Sequence, residues 1–327
     1  MRYTGMPGNH ARGKNGYSMQ KKYAIGIDIG GTNMRVGLVS EDGEVVRKIK
    51  EPTSDEIVGA IFKAVDSLFS DEIAGIGIGI AGLIDRENGK VLSSPNLRVA
   101  EGIGLVDEIV KRYAVRAIIE NDANAAAMGE MWTGAGKDFS DFVLFTLGTG
   151  IGGGLICGRR LLNVSAEIGH MSISTDGEKC HCGNYGCLES YASARYILSK
   201  AISVLETGRE SLLGGYYNGN IYKLTTEDIF KAALDGDMLA RELLKNAGRY
   251  LGIGIANMVN IMSPEAVILA GGLTGAWDIY VSEAVKEASR RAMKELYERV
   301  KIIPALLKDD AGLIGSAGLV FQGYERI

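Results

Sequence analysis

The sequence predicts an α/β protein made of two similarly built halves. Short apolar runs rich in isoleucine and valine alternate with segments of helical periodicity, a pattern typical of sheets covered by helices. Residues 24–39 (AIGIDIGGTNMRVGLV) are two strand-like runs joined by a glycine turn, and residues 142–157 (FVLFTLGTGIGGGLIC) repeat this arrangement. The repeat predicts two α/β domains that each begin with a glycine-turned hairpin.

Hydrophobic patterning predicts the elements of the first half. The segment 55–69 is predicted to be helical because Ile57, Ile61 and Val65 recur at helical spacing after acidic residues. The run IAGIGIGIAG at 73–82 is continuously apolar or glycine, as expected for a buried strand. The predicted strands are 23–29, 34–40, about 45–50, 73–82 and 115–122, and the predicted helices are 55–69 and Val106–Tyr113.

The second half continues with longer helices. Thr225 and Asp228 have the spacing of a capping box, which predicts a helix over Thr225–Leu234. AVILAGG at 266–272 predicts a buried strand that ends in glycine. The other predicted elements are helices at about Asp237–Met262, Ile279–Tyr297 and Gly312–Phe321, and a strand at 300–305.

The composition excludes several classes of protein. The chain has 327 residues, enough for two domains, and its 46% hydrophobic and 23% charged residues are typical of a globular protein. The net charge of −4 comes without long runs of either sign, which argues against a nucleic-acid partner and against a membrane surface. No apolar run reaches the roughly 18 residues that a membrane span needs, and the N-terminus lacks a signal-peptide core. We therefore expect a cytoplasmic protein.

Glycine is unusually abundant, with 45 residues, and its placement at turns favours phosphate binding. Gly77–Gly82 and Gly148–Gly153 match the dinucleotide fingerprint, but no helical sequence follows either match, so we reject that interpretation. In a strand–turn–strand arrangement the turns expose backbone N–H groups that bind phosphate oxygens, although ordinary hairpins would show the same glycines. The candidate turns are Gly30-Gly31-Thr32-Asn33 and Gly148-Thr149-Gly150, and Asp28 beside the first turn could hold magnesium.

A cysteine and histidine cluster predicts a structural zinc site. Three cysteines lie within eight residues, and one added histidine completes a Cys₃His set. We favour His170 over His181 as the fourth ligand, because a residue between two ligands usually points away; reduced thiols in a loop are the alternative. The predicted ligands are His170, Cys180, Cys182 and Cys187, whereas Cys157 is predicted to be a small core residue in a strand. Zinc would stiffen the segments that carry Glu167 and Glu189, which suits a polyhydroxyl ligand.

An acid stands at the end of a predicted strand. Glu120-Asn121-Asp122 ends the strand 115–122 and opens an alanine-rich helix. Asp122 or Asn121 could simply cap that helix, which is common. A strand end between two domains is also where a general base would lie, and the residues alone leave both interpretations open.

Five segments in this order resemble the ROK family of sugar kinases, within the superfamily of actin, hexokinase and Hsp70 ATPases. The segments are DIGGT (28–32), ENDANAAAMGE (120–130), LGTGIGGG (147–154), EIGH (167–170) and CHCGNYGCLE (180–189). The cysteine segment matches the family pattern C-x-C-G-x-x-G-C-x-E at every fixed position, and ENDANAAA is most similar to the glucokinases. After Pro95-Asn96-Leu97, where many members carry an aromatic residue, this chain has RVAEGIGL, a departure on the sugar side of the cleft.

The resemblance implies an actin-like (RNase H-like) fold with a cleft between two α/β domains. It implies a small domain at 22–121, completed by the C-terminal helix at about 311–327, and a large domain at 122–310, after a disordered segment at 1–21. Asp122 would be the catalytic base. The sugar would contact Asn96, Asn121, Glu167, His170 and Glu189, and ATP would bind at Asp28, Gly30, Gly31, Thr32, Asn33, Gly148, Thr149, Gly150, Gly271 and Gly272.

The implied activity is phosphorylation of the 6-hydroxyl of glucose, or of a close hexose, with ATP and Mg²⁺. An N-acetylmannosamine or N-acetylglucosamine kinase is the alternative. A sugar-responsive repressor of the same family is a more distant one, because only about 22 residues precede the first predicted strand. The resemblance also favours a homodimer and structural Zn²⁺.

Overall fold

The computed structural model describes residues 22–94 and 97–322. The predicted disorder of residues 1–21 and the predicted sugar contact Asn96 lie outside the described residues, as does the end of the C-terminal segment after 322. Within the described ranges, no helix has the length and apolar character needed to cross a lipid bilayer.

The first five-stranded sheet has the order β3-β2-β1-β4-β7. Strands β1 and β2 form the predicted antiparallel hairpin, while β4 and β7 run parallel to β1 and to each other. A separate two-stranded hairpin, β5–β6, lies between β4 and β7 in the chain. The strands are β1 Tyr23–Ile29, β2 Asn33–Ser40, β3 Val45–Pro52, β4 Ile73–Ile80, β5 Leu83–Asp85, β6 Lys90–Ser93 and β7 Arg116–Asn121.

The second five-stranded sheet repeats the order of the first, as β10-β9-β8-β11-β12. Its antiparallel β8–β9 hairpin corresponds to β1–β2, and β11 and β12 run parallel to β8 as β4 and β7 do to β1. The duplication predicted from the two glycine-turned hairpins is therefore present. The strands are β8 Phe142–Leu147, β9 Ile151–Cys157, β10 Arg160–Leu161, β11 Ala266–Ala270 and β12 Lys301–Pro304.

Ten helices accompany the sheets in the described residues, and two large apolar cores result. One core lies around the first sheet with α1 and α2, and the other lies around the second sheet with the long α7. The predicted capping box is present at the start of α6, where the side chains of Thr225 and Asp228 bond to each other's backbone N–H. The helices are α1 Ile57–Asp66, α2 Leu105–Tyr113, α3 Asp122–Trp132, α4 Glu189–Ala192, α5 Ala194–Glu206, α6 Thr226–Leu234, α7 Met238–Met262, α8 Ser282–Arg291, α9 Lys294–Tyr297 and α10 Ala311–Phe321.

The C-terminal helix α10 packs directly on the first sheet and on α3. Its approach is so close that a Cβ built at Gly77 in β4 would overlap the carbonyl oxygen of Ser316. On its other side, a Cβ at Gly315 would overlap the carbonyl oxygen of Ala125 in α3. Glycine is therefore required at both positions by backbone proximity.

Two predictions about local structure are wrong. The single helix expected over Ile279–Tyr297 is a π-helical turn followed by α8 and α9, because Ala292 is extended and the Met293 N–H donates to Asn260 Oδ1 at 2.8 Å. Cys157 is not a core residue: it ends β9 with its side chain exposed, since the strand alternation turns Ile156 inward instead.

Candidate active site

The two glycine turns lie at corresponding ends of the two sheets. The first turn is closed by a hydrogen bond from the Gly30 N–H to the Asn33 carbonyl at 3.0 Å, and the second by one from the Gly148 N–H to the Gly150 carbonyl at 3.0 Å. The two matches to the dinucleotide fingerprint also lack the helix that it requires: β5 follows Gly77–Gly82, and Gly148–Gly153 runs into β9, so the rejection of that interpretation is confirmed. Such turns offer backbone N–H groups to an anion.

Asp28 lies at the end of β1, just before the first turn. Its Oδ2 accepts a hydrogen bond from Arg35 on the neighbouring strand at 2.9 Å. Burial raises the pKa of Asp28, and the Arg35 guanidinium opposes that effect, while Asp309 and Asp310 add to it. Asp28 is therefore a partly buried carboxylate, with its side chain 14% exposed, whose charge is only partly compensated by Arg35.

Asp122 is the first residue of α3, and the cap of that helix is Asn121. The Asn121 Oδ1 accepts hydrogen bonds from the N–H groups of Ala123 at 2.8 Å and Asn124 at 3.2 Å, and its Nδ2 donates to the Gly82 carbonyl at 3.1 Å. Of the two capping candidates that the sequence left open, the structure therefore places Asn121 at the cap position. Because both polar atoms of its side-chain amide already bond to backbone groups, the predicted contact with sugar would have to use the second Nδ2 hydrogen.

The Asp122 carboxylate is partly buried among other acids. Burial raises its pKa to about 6, and the negative charges of Asp28 and Glu167 contribute to the shift. A hydrogen bond from the Ala123 N–H to Oδ1, at 2.9 Å, acts in the opposite direction. The end of β1, the start of α3 and the segment after β10 therefore meet around this carboxylate.

Glu167 and His170 belong to the segment that follows β10. The His170 Nε2 lies 4.0 Å from Glu167 Oε2. Burial raises the pKa of Glu167, His170 lowers it, and Glu189 raises it further. The structure therefore brings together the two glutamates that the sequence places on either side of the cysteine loop.

The cysteine loop and His170 form a compact cluster. The Sγ atoms of Cys180, Cys182 and Cys187 and a ring nitrogen of His170 all lie within 4.8 Å of one another. His170 Nδ1 is 3.6 Å from Cys180 Sγ, and the Sγ atoms of Cys182 and Cys187 are 3.7 Å apart. A tetrahedron with Zn–S arms of about 2.3 Å has edges of about 3.8 Å, close to these two separations, so the residues fit zinc. His181 is exposed and is not part of the cluster.

A cavity of about 350 Å³ opens beside the second glycine turn. Gly148, Thr149 and Gly272 from the predicted nucleotide set line it. Gly271, which precedes Gly272, has a φ of 95°. A Cβ there would overlap the Leu147 carbonyl oxygen, so this position requires glycine. The lining residues that the sequence did not indicate are Ala194, Thr225, Thr226, Glu227, Phe230, Leu244, Leu273 and Ala276.

These lining residues come from four separate parts of the chain, and no sequence pattern links them. The capping box at Thr225 is the one local signal among them, and it indicates a helix start and not a ligand. Most of these lining residues are apolar or carry a hydroxyl group, which is typical of a pocket for a small organic ligand.

Comparison with known proteins identifies the family. The model of the ROK family matches residues 24–322 of this chain. The chain belongs to the ROK family. A glucokinase of Thermotoga maritima is 34% identical to it over 319 residues, which cover 92% of this chain and 98% of the relative. The xylose repressor of Bacillus subtilis is 31% identical over 322 residues, which cover 94% of this chain and 79% of the repressor.

Solved structures of ROK proteins share the fold. The ROK glucokinase from Streptomyces griseus, in complex with glucose and AMPPNP, superimposes with a TM-score of 0.79 at 35% identity, covering 92% of this chain and all of that one. A ROK hexokinase from Thermus thermophilus gives 0.78 at 26% identity, covering 92% of this chain and 99% of that one. This ROK chain therefore has the actin-like fold, with two α/β domains and a cleft between them.

Proposed function

We propose that this chain is an ATP-dependent sugar kinase that transfers the γ-phosphoryl group of ATP to the 6-hydroxyl of glucose. The observation that carries the proposal is the position of Asp122, whose carboxylate is close enough to Asp28 and Glu167 for their charges to raise its pKa. It therefore lies between the strand end that precedes the first glycine turn and the segment that carries Glu167. The glucokinase of Thermotoga maritima supports the same activity.

Asp122 accepts the proton of the sugar hydroxyl as its oxygen attacks the γ-phosphorus. A pKa near 6 leaves Asp122 ionised at neutral pH and a better base than an ordinary aspartate. Little covalent chemistry is required of the protein in phosphoryl transfer, so most of the acceleration comes from positioning the two substrates. Closure of the cleft would exclude water and limit hydrolysis of ATP.

The sugar site consists of groups around the cysteine cluster. Glu167, Glu189 and the Nε2 side of His170 offer hydrogen-bond partners for hydroxyl groups. The Nδ1 of His170 faces the cysteines, so one ring nitrogen is available to zinc and the other to the sugar. Asn121 and Asn96 complete the proposed set.

The zinc ligands are His170, Cys180, Cys182 and Cys187, and the role of the ion is structural. A closed Cys₃His site has no open position for substrate, and it fixes the loop whose last cysteine precedes Glu189 by two residues. Through this zinc, the four ligands would hold Glu189 and His170 in place at the sugar site.

The nucleotide site combines the glycine turns and the cavity. Gly30, Gly31, Thr32 and Asn33 together with Gly148, Thr149 and Gly150 bind the phosphates, and Gly271 and Gly272 border the adenosine in the cavity. Asp28 would hold Mg²⁺, since an incompletely compensated carboxylate beside phosphates is a ligand that this ion prefers. Bound Mg²⁺ would balance the charge of the transferred group.

The organisation of the protein is part of the proposal. The small domain comprises 22–121 with the C-terminal helix, the large domain comprises 122–310, and the enzyme works in the cytoplasm as a homodimer. Helix α10 supports placing the C-terminal segment with residues 22–121, because it packs on the first sheet although it is distant in sequence. It also packs on α3, the first helix of the proposed large domain, and so lies at the junction of the two. Light scattering of the purified protein tests the dimer.

A coupled assay that follows ADP release tests the activity. We expect turnover with glucose and ATP, and Asp122→Asn should lower kcat at least 10³-fold while sugar binding measured by calorimetry is kept. Asp107→Asn, an exposed acid in the first turn of α2, is the matched control and should leave kcat unchanged. Near-native turnover in Asp122→Asn would show that another group is the base.

The panel of sugars decides between the kinase alternatives. Glucose, mannose, fructose, N-acetylglucosamine and N-acetylmannosamine are compared by kcat/KM, and preference for an N-acetylated sugar would replace the glucokinase proposal by its alternative. The xylose repressor of Bacillus subtilis favours a second candidate, a sugar-responsive regulator. A chain that binds sugar but transfers no phosphate from ATP to any member of the panel would support that candidate.

A further inference from the structure

A fully buried carboxylate lies two residues before Asp122. Glu120, the penultimate residue of β7, is 0% exposed. Its carboxylate accepts two hydrogen bonds from one guanidinium, from Arg86 Nε at 2.6 Å and Arg86 Nη2 at 2.7 Å. It also accepts from the Asn121 N–H at 2.7 Å and from Asn124 Nδ2 at 3.0 Å. Glu120 is therefore bonded both to Arg86 and to the junction between β7 and α3.

The same guanidinium reaches a third part of the chain. Arg86 lies in the turn between β5 and β6, and its Nη2 donates to the Val164 carbonyl at 3.0 Å. Asn124 Nδ2 donates to that carbonyl as well, at 2.9 Å. Val164 precedes Glu167 by three residues, in the segment that carries the proposed sugar contacts. Arg86 thus joins the base-bearing junction to the sugar-side segment.

The chemistry of arginine suits this bridge. A planar guanidinium can donate two parallel hydrogen bonds to a carboxylate and keep another N–H for a carbonyl, which a lysine ammonium cannot reproduce in one geometry. Leaving the buried Glu120 carboxylate without this partner would strongly destabilise the folded protein, so the two side chains stay together in the folded state. The bridge therefore fixes direction as well as distance between the two segments.

We propose that Arg86 is a positioning residue for phosphoryl transfer: by binding Glu120 and the Val164 carbonyl together, it holds Asp122 at the correct place relative to the sugar on the Glu167 segment. The inference rests on the proposed kinase function. A displacement of about 1 Å in reacting groups can cost roughly 100-fold in rate, so a small relaxation of the bridge is enough to matter. Arg86 touches neither substrate in this role.

The test compares Arg86→Lys and Arg86→Gln with the wild-type enzyme in the coupled assay. We expect kcat to fall about 100-fold in Arg86→Gln and about 10-fold in Arg86→Lys, with the KM for ATP within about threefold of wild type. Arg112→Gln is the matched control, because Arg112 makes a similar two-bond pair with Asp66 that is solvent-exposed on both sides. Its kcat should not change.

Two further measurements separate positioning from folding. The folded fraction of each variant is measured by thermal unfolding, and kcat is expressed per folded molecule. Guanidinium added to Arg86→Ala should restore kcat at least fivefold, and should have no such effect on Asp122→Asn. A folded Arg86→Lys and a folded Arg86→Gln that both retain kcat within threefold would overturn the inference, even if their melting temperatures fall. An inactive wild-type enzyme would instead contradict the proposed function.

Discussion

The side-chain carboxylate of Glu189 accepts a hydrogen bond from the backbone N–H of Ile151 at 2.8 Å. Ile151 is the first residue after the second glycine turn, and Glu189 is the second residue after the last cysteine of the cluster. A Cβ at Gly150 would overlap the same carboxylate, so Glu189 also lies against the backbone of the turn itself. The residue proposed to bind sugar therefore also supports the turn proposed to bind phosphate.

Substitution of Glu189 should affect both substrates. Glu189→Ala leaves the Ile151 N–H without its partner, which costs about 1–3 kcal/mol when the group is buried. We expect the KM values for glucose and for ATP each to rise about tenfold or more, whereas Glu189→Gln, which keeps an acceptor oxygen, should affect mainly glucose. Glu206→Ala, which removes a surface carboxylate bonded to Tyr222, is the control. An unchanged KM for ATP in Glu189→Ala would contradict the coupling.

The pH dependence of the reaction should follow Asp122. Because its pKa is raised to about 6 by burial and by the charges of Asp28 and Glu167, the base becomes protonated as the pH falls below that value. The rate of the chemical step, measured as kcat at saturating substrates, should be constant above about pH 7 and fall about tenfold per pH unit below 6. A profile that stays flat down to pH 5 would show that the limiting step does not involve this proton.

The same residue should lower stability at neutral pH. The folded chain binds the Asp122 proton more tightly than an unfolded chain with a pKa near 3.8, so stability falls as the pH rises from about 4 to about 6. Asp122→Asn, which keeps an acceptor for the Ala123 N–H, should therefore unfold at a higher temperature than wild type at pH 7.5. The gain is at most about 3 kcal/mol, since one pKa unit corresponds to about 1.4 kcal/mol, and it should vanish near pH 4. Equal melting temperatures at pH 7.5 would contradict this expectation.

Two histidines eleven residues apart should differ in their effect on metal content. His170→Ala removes one of four ligands and should lower the zinc content measured by plasma mass spectrometry, together with glucose affinity and melting temperature. His181→Ala, an exposed histidine between two of the cysteines, should keep all three. Wild-type enzyme that is fully active after exhaustive chelation, with no zinc detected, would refute the zinc site.

The contact between α10 and the first sheet should be intolerant of a single methyl group. Gly77→Ala forces the new Cβ against the Ser316 carbonyl and should destabilise the protein by about 3 kcal/mol or more. Gly59→Ala is the control, since Gly59 lies inside α1 with nothing near its absent Cβ, and alanine there should stabilise by about 0.5–1 kcal/mol. Denaturant unfolding monitored by circular dichroism gives both values, and a loss below about 1 kcal/mol in Gly77→Ala would contradict the close packing.

Much of the fold is predictable from the sequence because it depends on residues that are adjacent in the chain. The two hairpins, the buried strands and the capping box depend on the period and turn chemistry of adjacent residues, and each is present. The break before α9 was not predictable, because it depends on Asn260, which lies 33 residues before the N–H that it binds. Cys157 was misassigned for a similar reason, since a strand's sequence does not show which of its faces is covered.

The candidate site divides in the same way. The cysteine and histidine cluster and the acid at the end of β7 have characteristic spacings, so the sequence indicated them directly. Phe230, Leu244 and the other lining residues of the cavity have no such spacing, because only tertiary packing brings their elements together. The role of Arg86 could not be predicted either, because the sequence of the β5–β6 turn does not show that its arginine pairs with a buried glutamate on β7.

The packing of α10 on the first sheet also constrains how the protein is made. The last strand of that sheet ends at Asn121, and the covering helix begins at Ala311, roughly 190 residues later. At about 5–20 residues per second, a ribosome needs roughly 10–40 s to produce the intervening chain. During that interval Ala24 and Val39, which are fully buried against α10 in the finished protein, have no partner helix. Until residues 311–321 have been synthesised, the first sheet therefore has an uncovered apolar face, and such transiently exposed surface favours aggregation.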